Sequence, residues 1–178
     1  MTKTGQDHLK SLRDGRSVYL NGQLVGDVVD HPAYRNAVRS TASLYDFQAD
    51  PENEELMTFV SPTGARVNRS WHLPESYKEL VQRRKAIEAW AEQTNGFLGR
   101  SPDHVASSLA GMMMRPDLFE AHGSKRAKAF TDYYAYVRDY DQFVSYVVVG
   151  PQADRSKGVG EQTEEYTVAG ICDEDTQG

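Results

Sequence analysis

Cys172 is the only thiol in this chain of 178 residues. A lone cysteine cannot close an internal disulfide, and it leaves too few thiolates for a cysteine-rich metal or iron–sulfur centre. Positive charge is also short: 20 Lys and Arg stand against 26 Asp and Glu, a net charge of -6. Phosphate binders need a basic stripe, so nucleic acid is excluded as a partner. The one basic cluster, Arg83, Arg84 and Lys85, has Glu79, Glu88 and Glu92 a helical turn away and reads as a solvated, ion-paired helix face. No apolar run approaches the roughly 20 residues that cross a bilayer, and the opening MTKTGQDHLK lacks the apolar centre of a signal peptide. The expectation is a cytoplasmic protein off the membrane. A Gly-x-Gly-x-x-Gly fingerprint is missing too, which argues against a nicotinamide site, and no internal repeat or low-complexity tract is visible.

What is present suffices for one core: 39% of the residues are apolar. Thr4 caps an expected helix over 5–13, stopped by Asp14-Gly15. Two short strands flank Asn21-Gly22, the pair preferred where both turn residues need positive φ, so a hairpin is expected over 17–25. Asp30 before His31-Pro32 reads as an N-cap, and Tyr34, Val38, Ala42 and Tyr45 give an amphipathic helix ending near Asp50-Pro51. A second hairpin is expected from 56–60 and 65–69 around Ser61-Pro62-Thr63-Gly64. The longest helix runs from Pro74 to Asn95, with Tyr77, Leu80, Val81, Ile87, Ala89 and Trp90 as its apolar positions and Asn95-Gly96 as its stop. Ser101, Pro102 and Asp103 open another, which ends before Pro116. Residues 124–143 carry Phe130, Tyr133, Tyr134, Val137 and Tyr140 at helical spacing; with Met112, Met113 and Met114 they read as core rather than as a cofactor box. From Val144 the period turns to two, a buried strand over 144–149, and residues 165–171 read as a further strand. No partner strand follows it, and an open two-stranded sheet is marginal, so the chain is expected to have lost its continuation.

Four blocks, LRDGRSVYLNGQLV at 12–25, SPTGARVNRSW at 61–71, GRSPDHVA at 99–106 and VVVGPQADRSK at 147–157, resemble in order and spacing the large component of two-component 4-hydroxyphenylacetate 3-hydroxylases. The resemblance implies a mainly α fold: a helical N-terminal domain, here 1–143, and the first strands of a β-barrel-like middle domain, here 144–178 and truncated. The whole arrangement in that family is similar to acyl-CoA dehydrogenases. It also implies FAD, reduced by a separate flavin reductase, and O2 as the oxidant that places a hydroxyl ortho to a phenol's own. A homotetramer is implied for the full-length enzyme, and inactivity for the isolated chain.

The phenol-binding arginine of the family falls on Arg100, just before a helix start. A fixed cation at the positive end of a helix favours phenolate, whose ring carbon is the better nucleophile. The family's enzymes carry tyrosine at position 104 and histidine at 146, whereas this chain has His104 and Tyr146. The swap keeps one imidazole and one phenol and implies retained chemistry on a changed substrate. Tyr146, Val148, Gln152, Asp154 and Arg155 match the family's flavin contacts. Read without the resemblance, His104 is a surface residue, Tyr146 packs in a strand, and 151–157 is a polar loop. Two other readings stand beside the hydroxylase: a 4-hydroxybutyryl-CoA dehydratase-like enzyme, which needs several cysteines, and a non-catalytic fragment that binds a partner.

Overall fold

In a computed structural model of the chain, the described residues are 1–97, 102–145 and 156–157. Two units divide it, Met1–Ser145 and Tyr146–Gly178. All elements named below belong to the first.

Thr4 starts α1 (Gly5–Ser11) through a reciprocal capping box with Asp7. The first hairpin is β1 (Val18–Leu20) against β2 (Gln23–Val25), antiparallel with Tyr19 opposite Leu24. Asn21 at φ 51° and Gly22 at φ 77° make the two-residue turn that the pair was expected to make. Helix α2 (Arg35–Ala49) begins later than expected, and Tyr34 caps it with no side-chain bond. Asp30 is not the cap because its carboxylate is turned to Arg13, 3.3 Å away, while residues 32–34 form a turn. Thr41, Ala42, Leu44, Tyr45 and Gln48 make the buried face of α2. Gly5 of α1 lies so close to it that a Cβ there would stand 2.5 Å from the Ala42 carbonyl oxygen.

A one-turn α3 (Glu54–Met57) replaces the start of the expected second hairpin. Thr58 turns the chain extended, and β3 (Thr58–Val60) pairs antiparallel with β4 (Arg66–Asn68) before a 3-10 turn, Arg69–Trp71. Helix α4 (Tyr77–Gln93) is capped by Ser76 in a box with Glu79 and closed by Asn95 and Gly96 at φ 49° and 74°. Its inner face is narrower than the apolar pattern implied: Ala86 and Trp90 are buried, but Tyr77 is 83% exposed and Leu80 50%. Helix α5 (Pro102–Met113), the one-turn α6 (Asp117–Glu120) and α7 (Ser124–Asp139) complete the unit. The aromatic stripe of α7 is split, with Tyr134 and Val137 inside and Tyr133, Tyr136 and Tyr140 outside. Met112 and Met114 are likewise exposed, against expectation, because α5 turns its alanines inward instead.

Leu44, Met57, Ala86 and Trp90 form one core between α2, α3 and α4. Trp90 also donates its indole N–H to the Leu44 carbonyl at 3.2 Å. Trp71, Ala106, Ala110, Tyr134 and Val137 form the second, beneath α5. The fold is thus mainly helical with two small hairpins, as expected. Val144 and Ser145 carry no regular structure, and the rest of the strand expected over 144–149, like that over 165–171, lies outside the described residues. Among the described residues no helix is long and apolar enough to cross a membrane.

Candidate functional site

Helix α5 carries the expected site residue that can be located. Pro102, with no N–H to satisfy and its φ preset, is its first residue, and Asp103 puts negative charge at the positive end of the dipole. Ala106 and Ala110, one turn apart and 0% and 4% exposed, seat the helix on Trp71, Tyr134 and Val137. Two alanines on the contact face let the backbones approach closely. Tyr134 donates its hydroxyl to the Trp71 carbonyl, and burial pushes that phenol up to about 12.

Arg83 adds a polar clamp. Its Nη2 donates to the Ser70 carbonyl at 2.7 Å and to Ser107 Oγ of α5 at 2.8 Å, and its Nε to the Ser70 carbonyl at 3.1 Å. Burial lowers its pKa from the ordinary arginine value. The expected solvated face therefore holds for the exposed Lys85 and for Arg84, which pairs with Glu88 at 3.6 Å, but not for Arg83. Arg83 is two turns before Trp90, on the side of α4 that meets the chain, and so it was drawn into the structure.

His104 stands two residues before Ala106, roughly 200° around the helix, and is exposed on the opposite face. One turn on, Ser108 shares that face and donates its hydroxyl to the His104 carbonyl at 3.1 Å. Gly111 follows, with open space where a Cβ would be. An exposed imidazole beside two small residues on a seated helix leaves a surface that a flat ligand can approach. Arg100, Tyr146, Val148, Gln152, Asp154 and Arg155 lie outside the described residues, so His104 is the member of the expected set whose setting is known.

The chain after α7 is held in place as far as Val144. Asp141, at φ 44° and 4% exposed, ends α7. Its carbonyl accepts from Lys3 Nζ and Tyr45 Oη, both at 3.0 Å. Its carboxyl accepts from Gln48 Nε2 at 2.6 Å, and Gln48 Oε1 in turn accepts from Asn68 Nδ2 at 2.7 Å. The Trp71 indole and the Asn68 backbone also bond this carboxyl. Burial outweighs them and pushes it up to about 6. Val144 then packs against the core under α5. Nothing in the sequence pattern marks Asp141 or Arg83 for these roles; the available signal was that aspartate tolerates the left-handed region at a helix end.

Behind α5, a cleft of about 370 Å³ is walled by Phe59, Trp71, His72 and Tyr134. His72 Nδ1 is buried without a partner, its ring lies 4.7 Å from that of Phe59, and burial lowers its pKa. Among the described residues no three His, Cys, Asp or Glu side chains are grouped to hold a metal ion.

Comparison with known proteins bears on the whole chain. The family described as "4-hydroxyphenylacetate 3-hydroxylase N terminal" matches residues 4–178. The 4-hydroxyphenylacetate 3-monooxygenase oxygenase component of Geobacillus sp. (strain PA-9) is 38% identical over 164 residues, 91% of this chain and 33% of the relative. The crystal structure of such an oxygenase component, complexed with FAD and 4-hydroxyphenylacetate, matches with a TM-score of 0.80 at 31% identity, over 91% of this chain and 33% of that one. An oxygen-tolerant 4-hydroxybutyryl-CoA dehydratase from N. maritimus matches with a TM-score of 0.71 at 29% identity, over 92% of this chain and 33% of that one. The chain therefore spans about a third of the length of the relatives it matches. With the family matched across 4–178 and the helical fold shared, the chain belongs to the 4-hydroxyphenylacetate 3-hydroxylase family, to its N-terminal part.

Proposed function

We propose that the chain is the N-terminal part of an oxygenase component that hydroxylates a phenol ortho to its hydroxyl, using O2 and FAD reduced by a separate reductase. The observation that carries this is the 0.80 TM-score likeness to an oxygenase component complexed with FAD and 4-hydroxyphenylacetate. The outer face of α5 fits a flat ligand, since His104 is exposed there and no side chain stands at Gly111. Reduced FAD, when bound, supplies the electrons that activate O2.

The chain's own residues then have separable tasks. Arg100, just before α5, holds the phenol as phenolate by charge, helped by the positive end of the helix. His104 and Tyr146 hydrogen-bond that oxygen and take or return its proton. Tyr146, Val148, Gln152, Asp154 and Arg155 contact the flavin, with amide and guanidinium donors suited to an electron-rich ring and a pyrophosphate. Residues 144–178 begin a β-barrel-like middle domain in an acyl-CoA-dehydrogenase-like whole, a cytoplasmic homotetramer. The likeness to the dehydratase supports the same fold, and the single Cys172 argues against a thiolate-held cluster in this third.

To test this, the chain is assayed alone and fused to the C-terminal two thirds of the Geobacillus relative, with reduced FAD, O2 and a panel of phenols. The chain alone should turn over nothing, and the fusion should hydroxylate. Arg100→Ala in the fusion should cut product at least about tenfold, the loss of a charged hydrogen bond, while flavin oxidation continues as peroxide release. A fusion that binds FAD yet hydroxylates no phenol sinks the reading, and unchanged coupling in Arg100→Ala removes Arg100 from the site.

A further inference from the structure

The cleft behind α5, of about 370 Å³, is within the range of small-molecule sites, roughly 300–1,000 Å³. Phe59 and Leu73, both half-buried, give it apolar walls. His72 lines it too, with its ring 4.7 Å from that of Phe59. The Nδ1 of that ring is buried and has no hydrogen-bond partner. Native folds rarely leave a buried polar atom so, and one that is left points to a group the chain does not itself supply.

The other polar groups of the lining narrow the ligand, because its donors are already engaged. Tyr134 gives its hydroxyl to the Trp71 carbonyl, Ser61 is bonded to Thr63 and Asp139, and Arg138 is paired with Asp139 at 2.8 Å. Two carboxylates, Glu75 and Glu79, also line the cleft, and both lie near enough to His72 to act on its charge. The N–H groups of Glu75 and Ser76 hold Glu79 ionised, at 2.8 and 3.0 Å from its Oε2. Arg69 and Arg83, the cations that also act on His72, are bound to backbone carbonyls. Burial keeps the imidazole neutral, so one of its nitrogens is an acceptor. An anion would meet acceptors and negative charge here, whereas a cation that carries N–H groups meets its complement. We propose that this cleft binds a small organic ammonium ion, its N–H groups donating to His72, its charge facing Glu75 and Glu79, and its apolar body lying against Phe59 and Leu73. The proposal goes beyond the hydroxylase reading and does not depend on it, since all the residues it uses lie within Met1–Ser145.

The test is fluorine NMR of the 178-residue chain titrated with 4-fluorobenzylamine, a cation at neutral pH, and with its neutral isostere 4-fluorobenzyl alcohol. Wild type should shift the amine saturably and bind the alcohol at least about tenfold more weakly. His72→Phe, which keeps a ring against Phe59, should weaken the amine about tenfold. Glu75→Gln, at an exposed position, should weaken it about threefold and leave the alcohol unchanged. Absence of a saturable shift in wild type overturns the proposal, as does an alcohol bound as tightly as the amine, or amine binding that His72→Phe leaves untouched. Should His72→Phe fail to fold, Glu75→Gln decides, and an amine affinity equal to wild type overturns the proposal.

Discussion

The core beneath α5 and the knot around Asp141 hold neighbouring stretches of chain by opposite means. Under α5 the contacts are apolar: Ala106 and Ala110 rest on Trp71, Tyr134 and Val137. Such contacts are non-directional, do not titrate, and need only matched shapes. At Asp141 the holding groups are Lys3, Tyr45 and Gln48, each aimed at one oxygen. The difference follows from what each must fix. A helix needs only to be seated, whereas a non-glycine residue at φ 44° must be held in a conformation it would otherwise leave. Trp71 serves both, packing under α5 and bonding the Asp141 carboxyl with its indole.

Three perturbations sharpen that contrast. The largest effect is expected from Trp71→Ala, which empties the α5 core and strips the knot of a donor. The loss should be about 3–5 kcal/mol in urea unfolding, and a loss near 1 kcal/mol would mean the two regions do not share this residue energetically. Next is the pair Arg83→Met and Arg84→Ala. The first breaks the clamp on Ser70 and Ser107 and should cost about 1.5–3 kcal/mol, whereas the second loses an exposed ion pair and should stay within about 0.5 kcal/mol. Equal costs would restore the solvated-face reading of both arginines.

The smallest effect in wild type is with pH, because two groups oppose each other. Asp141, with its pKa raised to about 6, makes the fold less stable as pH rises from its unfolded value near 4 through 6. His8, lowered to about 4, makes the fold more stable as pH rises through the same range toward 6.5. Wild type should therefore show a shallow profile of urea midpoint between pH 4 and 6.5. Asp141→Asn should leave stability rising with pH, and His8→Phe should leave it falling. Parallel profiles for the two variants would show that neither buried group titrates as described.

Much of the fold was legible because its signals are local. Thr4, Asn21-Gly22, Pro102 and Asn95-Gly96 each satisfy or permit a particular backbone conformation, and each marks a boundary the structure keeps. Where a competing partner came from elsewhere, reading failed: Asp30 turned to Arg13 and left α2 uncapped. Faces were less legible than boundaries. Tyr77, Leu80, Tyr133 and Tyr140 fit an apolar period but are exposed, since the period says which residues share a face and not which face finds a neighbour. Of the candidate site, the placement of His104 at the start of an outward helix face could be read from Ser101-Pro102-Asp103 and the inward alanines.

By itself, the sequence determined the family, the helical character, the two hairpin turns and the position of His104 in a first helical turn, because each depends on residues within a few positions or on ordered motifs. Tertiary structure alone decided that Arg83 clamps α5, that Asp141 is buried under Lys3, Tyr45 and Gln48, and that His8 is stacked on Tyr45. Those outcomes join residues up to 138 positions apart. No local rule sees across such a distance: what a polar side chain bonds, and what its burial does to its charge, is set by whatever packing brings beside it.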